Sequence, residues 1–127
     1  MSSQGSQTGQ HTRCLRCGRR LTAQASLSRG YGRTCRARIT AAGEAADLSE
    51  FHPWQVEKAR EAIEEKSIVP LSRPGLYAAV STDGTLTYLV DAIEGSCSCK
   101  AAATGRRCYH RAGALILDAS AITRRAA

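Results

Sequence analysis

Thiols and imidazoles are the residues of this chain best equipped for chemistry. Six cysteines and three histidines occur in 127 residues, and most of them gather in two clusters. The sharper cluster is Cys97-Ser-Cys99, eight intervening residues, then Cys108-Tyr-His110. In an extended chain, residues i and i+2 point to one face. Cys97 and Cys99 can therefore offer two sulfurs to one ion without a turn. Cys108 and His110 stand where a loop enters a helix, whose positive end favours a thiolate. Three thiolates and one imidazole saturate tetrahedral Zn²⁺ and leave no open position, which points to a structural ion rather than a catalytic one. Disulfide pairing or free thiols are the competing reading. The first ten residues are polar and lack the apolar stretch of a signal peptide, so a reducing cytoplasmic setting is expected and metal is favoured.

The second cluster is His11-Thr-Arg-Cys14-Leu-Arg-Cys17-Gly18-Arg19-Arg20-Leu21, followed by Gly30-Tyr31-Gly32-Arg33-Thr34-Cys35. Cys14-x-x-Cys17-Gly18 has the form of a zinc knuckle. Gly30 and Gly32 would let the chain fold tightly and bring Cys35 back to it. Three cysteines do not close a zinc site, and Arg38 stands where a CxxC partner of Cys35 would be. His52 is the expected fourth ligand, His11 the alternative, and water a third option. Two structural Zn²⁺ ions per chain are therefore expected.

Both clusters carry resemblances. The CxC, gap, CxH pattern of Cys97, Cys99, Cys108 and His110 resembles the SWIM zinc finger, with a hairpin ending in Tyr88-Leu-Val90-Asp before it and an apolar helix after it. The resemblance covers about residues 74–118, a little over a third of the chain. It implies a ββα-like fold and a role in DNA binding or protein interaction. The family usually has an aromatic soon after the CxC, where this chain has Ala101-Ala102-Ala103, which implies a smaller core. The first cluster resembles small, largely uncharacterised phage and bacterial proteins with CxxCGRxL…GxGxxC, over residues 14–38. Those often carry Pro where this chain has Arg33.

Charge separates partners. The formal net charge is +7, but residues 1–43 hold eight arginines and no acid, whereas residues 44–66 hold seven acids and three basic groups. Residues 96–127 are basic again, with six cations against one acid. The cysteine-bearing segments are thus the basic ones, as suits a polyanionic partner. Arg16, Arg19, Arg20 and Arg33 around the first cluster, and Lys100, Arg106, Arg107 and Arg111 around the second, are the candidate nucleic-acid contacts. Arginine suits bidentate phosphate recognition. Aromatics at 5% exclude a platform that stacks many bases. No apolar run approaches the ~20 residues of a membrane span.

The elements that must position these groups follow from pattern. Residues 1–10 read as a disordered tail and 11–46 as a zinc-knuckle module, with a helix over 35–42 that Gly43 should end. Residues 47–69 read as an amphipathic linker helix, Pro53 in its first turn and Val56, Ala59 and Ile63 on one face. It is expected as a spacer with solvated acids, the alternative being a counterweight docked on a basic module. Residues 70–119 read as the SWIM-like finger. Leu76, Ala78 and Val80 alternate on one side of a hairpin, Asp83-Gly84 turns it, and Tyr88 and Val90 share a face of the return strand. A last helix starts near Cys108 or His110, with Ala114, Leu115, Leu117 and Ile122 as its apolar positions. Residues 120–127 read as a basic tail.

The expectation is an α+β protein of two small zinc-stapled modules, an N-terminal knuckle plus helix and a C-terminal hairpin plus helix. No carboxylate pair, Ser–His arrangement or phosphate loop suggests an enzyme, and no small-molecule substrate is expected. Non-catalytic binding of nucleic acid, most simply DNA, in a bacterial cell or phage-infected host is the expected function. The alternative is an adaptor that uses the SWIM-like finger on a protein partner in a recombination or transcription complex.

Overall fold

The computed structural model describes residues 12–81, 83–99 and 107–121. The N-terminal tail with His11, the loop with Lys100 and Arg106, and residues 122–127 of the basic tail lie outside the described residues. The elements in chain order are α1 (Gln24–Arg29), α2 (Arg33–Ala45), α3 (Pro53–Glu64), β1 (Ile68–Pro70), β2 (Leu76–Val80), β3 (Thr87–Asp91), β4 (Ser96–Cys97) and α4 (Tyr109–Ser120).

The strands form one antiparallel meander in the order β1-β2-β3-β4. Tyr77 pairs with Val90, Ala79 with both Ile68 and Tyr88, and Val90 with Cys97. Residues directly opposite one another share a face. This face therefore carries Ile68, Tyr77, Ala79, Tyr88, Val90 and Cys97, and it packs on α4. Ile68, Ala79 and Val90 are fully buried. Leu76, Ala78 and Val80 do share one side, but it is the outer one, together with Leu89 at 51% exposed. The Asp83-Gly84 turn forms as expected. Asp83 Oδ1 accepts bonds from Ser81 Oγ, Thr85 Oγ1 and the Thr85 N–H, and Gly84 takes φ +78°.

Small residues let α4 lie at the centre. Ala112, Gly113, Ala114, Ile116 and Leu117 are buried in it. A Cβ on Gly113 would come within 2.5 Å of Ile68 Cδ1, so any larger residue would force the Ile68 side chain to shift. Ala114 and Leu117 face inward as expected, and Leu115 is half-buried. The first long helix does not stop at Gly43. It runs to Ala45, and Gly43 faces Ile116, whose Cγ2 would lie 3.5 Å from an added Cβ. That glycine marks a close approach of α2 to α4 rather than a helix end.

The spacer reading of α3 is corrected. Ala59, Ala62 and Ile63 are buried, and α3 packs along α4. Its acids remain exposed as expected, and one of them docks: Glu64 Oε1 accepts from Arg36 Nη2 at 2.9 Å, while Glu50, just ahead of α3, pairs with Arg107 and Arg111 at 3.4 and 3.8 Å. The expected modules share one core, which runs from Cys14, Leu21 and Tyr31 through Ile39, Ala59 and Ile63 to Ile116 and Leu117.

The inward face assigned to the sheet has a mutational consequence. Ile68→Ala should cost about 2–5 kcal/mol, the range for a large aliphatic removed from a packed core. Leu89→Ala, on the outer face, should stay within about 0.5 kcal/mol. Urea unfolding of both variants with metal bound checks this, and a larger loss for Leu89→Ala than for Ile68→Ala would mean that the faces are assigned the wrong way round.

Candidate metal centres

The C-terminal centre is assembled from a strand, its continuation and a helix start. Cys97 lies in β4, held by its pairing with Val90, and Cys99 follows two residues on with its side chain buried. Cys108 is the N-cap of α4 and His110 lies in its first turn, both buried. The four ligand atoms all lie within 4.8 Å of one another, and Cys97 Sγ is 3.7 Å from His110 Nδ1. Zn–S bonds of ~2.3 Å and Zn–N bonds of ~2.0–2.1 Å in a tetrahedron give ligand–ligand edges of roughly 3.4–3.8 Å. The donor set fits such an ion. His110 Nε2 is buried with no hydrogen-bond partner among the described residues, so the ring has a polar atom to spare. The rings of Tyr109 and Tyr88 lie against the imidazole at centroid distances of 4.2 and 5.3 Å and shield it from solvent. Lys58 Nζ in turn sits 5.2 Å from the Tyr109 ring centre.

Without a metal, the thiols hold one another in different protonation states. The hydrogen bond from Cys97 brings Cys108 down to about 4, and the same bond together with burial pushes Cys97 up. A metal ion takes the place of the remaining protons, so binding releases them. With four protein ligands the ion would pin β4 to the start of α4 and offer no position for substrate.

The N-terminal centre comes from a tight turn and α2. Arg13 bridges to Arg20, the Cys14 N–H donates to Arg19 O at 2.9 Å, and Gly18 takes φ +79° to close the turn. Gly30, at φ +82°, ends α1, and its carbonyl accepts from the Leu15 N–H at 2.8 Å. Cys35 is thereby delivered in the first turn of α2. Cys14, Cys17 and Cys35 sulfurs lie within 4.8 Å of one another, Cys17 exposed and the other two buried. Burial pushes Cys14 up, but backbone N–H groups of Cys17, Gly32 and Arg16 outweigh it and bring the thiol down to about 7. Burial raises Cys35. No fourth ligand joins these three among the described residues. His52 does not. It precedes α3 as the N-cap, where its N–H donates to Gln55 Oε1 at 3.0 Å, and that helix is committed to α4. His11 lies outside the described residues.

The basic residues divide. Arg16 turns inward: Nε donates to Ser120 O at 2.7 Å and Nη1 to Cys35 Sγ at 3.2 Å. It ties the first cluster to the end of α4 instead of standing free for phosphate. Arg107 and Arg111 are offset by Glu50. Arg19, Arg20 and Arg33 are exposed, and with the three cysteines they line a concavity of about 500 Å³ that has no acid in its wall. Sequence reasoning missed Glu50 and Tyr88 as neighbours of the second centre. Tyr109, between two ligands, carried a signal in its position.

Comparison with known proteins adds one finding. Residues 6–40 match a family described only as a family of unknown function (DUF6011). The segment holds Cys14, Cys17, Cys35 and His11, and it excludes His52. No curated protein and no solved structure matches the chain.

Native mass spectrometry of the zinc-loaded chain should find two ions. Cys97→Ser and Cys108→Ser should each lose one, whereas His52→Ala should keep both. A chelator titration should empty the exposed three-cysteine centre before the buried four-ligand one. Loss of an ion in His52→Ala would return that residue to the coordination sphere.

Proposed function

We propose that the protein is a non-catalytic, zinc-dependent nucleic-acid-binding protein of the cytoplasm, with DNA as its simplest target. Two cysteine clusters suited to Zn²⁺ support the metal half of this reading. One observation carries the nucleic-acid half: Arg19, Arg20 and Arg33 converge on an acid-free concavity beside the first cluster. None of the three is ion-paired among the described residues, whereas Arg36, Arg107 and Arg111 are. Phosphate is therefore contacted chiefly from the N-terminal side, and the SWIM-like centre acts as a fold-holding staple. With every C-terminal ligand spent on one ion, the chain is not an enzyme at that centre.

A protein-adaptor role has its own support. The outer sheet face carries Leu76, Ala78, Val80 and Leu89, of which Leu89 is the most exposed. Outward aliphatic surface of this kind marks a contact for a partner chain when it is contiguous.

Salt dependence separates the two. If about six phosphates are neutralised, duplex affinity should fall by roughly 10³ between about 50 and 200 mM salt. Arg19→Ala with Arg20→Ala should weaken all sequences alike, because phosphate contacts carry no base information. Arg107→Ala with Arg111→Ala should weaken binding less, since Glu50 already offsets both. Fluorescence anisotropy of labelled duplexes reads this, and salt-insensitive binding would favour the adaptor.

A further inference from the structure

A cleft of about 470 Å³ opens where the first cysteine segment, α2, α4 and the β1–β2 turn meet. Its volume falls in the range of small-ligand pockets, roughly 300–1,000 Å³. Leu15, Ile39 and Leu117 supply apolar wall. Its polar lining includes Tyr31, Asp118 and Arg73, besides Arg16, which is tied to Ser120 O. Tyr31 is only 4% exposed, and its hydroxyl has no hydrogen-bond partner among the described residues. Buried hydroxyls are almost always paired, and Tyr31 lines the cleft, so a ligand that inserts beside it can supply the missing partner. Asp118 accepts from Tyr77 Oη at 2.9 Å on one carboxylate oxygen, which orients the group and leaves the other oxygen available. Arg73 is exposed, lines the same cleft from the β1–β2 turn, and is not ion-paired among the described residues.

We propose that this cleft binds a nucleotide, its base between the aliphatic walls, its amino edge toward Asp118 and Tyr31, and its phosphate on Arg73. Each part answers one feature of the cleft. A flat ring fills an apolar slot and desolvates cheaply on its faces. A carboxylate accepts from an exocyclic amino group, the pairing by which acidic side chains read cytosine. The Tyr31 hydroxyl can donate or accept, so it serves either kind of ring atom. An arginine fork suits a phosphate. A free mononucleotide and a nucleotide within a strand offer the same chemistry. Only the strand as source rests on the function proposed above; the base pocket rests on the cleft.

The test is calorimetric titration of the full-length, zinc-loaded chain with GMP, AMP, CMP and UMP, with guanosine and inorganic phosphate as further probes. Saturable binding of the amino-bearing nucleotides is expected, with UMP weakest. Asp118→Asn should weaken binding by about tenfold or more, the worth of a hydrogen bond to a charged group. Tyr31→Phe should also weaken it. Arg73→Ala should weaken GMP but leave guanosine unchanged. Far-UV circular dichroism and the ion count show whether each variant has folded, and the conservative Tyr31→Phe carries the test if Asp118→Asn has not. Competition between GMP and a short single-stranded oligonucleotide would support a nucleotide held within a strand. Binding of GMP that the oligonucleotide leaves untouched would support a free nucleotide, even if the duplex experiment above fails. No binding by any nucleotide, unchanged affinity in both cleft variants, or inorganic phosphate binding as tightly as GMP would overturn the proposal.

Discussion

The seating of α4 is the constraint on which the rest of the molecule depends. Its buried face is built largely from small residues, Ala112, Gly113 and Ala114, with Ile116 and Leu117 as the larger members. Such a face lets α2, α3 and the sheet all approach closely, and interiors at crystal-like packing density tolerate little misfit. The helix start carries Cys108 and His110 and so belongs to the C-terminal metal centre. Its end, at Ser120 O, is held by Arg16 beside the N-terminal centre. One element of 12 residues thus couples the core to both candidate ions. The core holds few large aromatics, with one Trp and one Phe in 127 residues, so an ion in either centre would add folding energy to it.

Charge placement follows the same organisation. Seven acids in residues 44–66 flank two basic segments, and the fold uses them unequally. Glu50 sits beside Arg107 and Arg111, while Glu64 reaches only Arg36. These pairs are partly exposed, so each contributes little to stability. Their larger effect is on the surface field: Arg107 and Arg111 have a neighbouring acid, and Arg19, Arg20 and Arg33 are not ion-paired among the described residues. A local excess of positive charge of this kind would orient the polyanion proposed above as it approaches.

Ligand chemistry was more legible in the sequence than topology. Spacing alone grouped Cys97, Cys99, Cys108 and His110, and also Cys14, Cys17 and Cys35, because metal geometry acts over a few residues. The Asp83-Gly84 turn was legible for the same reason. The inward face of β2 was not: Leu76, Ala78 and Val80 alternate with Tyr77 and Ala79, and both sets are apolar enough to be core. Register against β1 and β3 decides between them, and register is a tertiary property. β1 itself is three residues long and ends in proline, too short to show a period. Gly43 has the look of a helix stop because its role lies in Ile116, far along the chain. His52 drew attention as an unassigned imidazole, but its place is set by α3, whose Ala59, Ala62 and Ile63 are drawn to α4.

Arg16 illustrates how composition misleads about role. Within a run of eight arginines it looks like one more phosphate contact. Its guanidinium instead spans 104 positions in sequence to reach Ser120 O, while a second N–H meets Cys35 Sγ. A helix end leaves its last carbonyls without intrahelical partners, and a cation there also complements the helix dipole. A planar fork with several fixed donors can serve a carbonyl and a sulfur at once, which the point charge of a lysine would do less well. The Cys35 sulfur that accepts from Arg16 is one that a metal would also hold, so docking of the N-terminal segment onto α4 and occupation of the first centre favour the same arrangement of Cys35. The two clusters, distant in sequence, are therefore joined through one side chain and one helix that share a core.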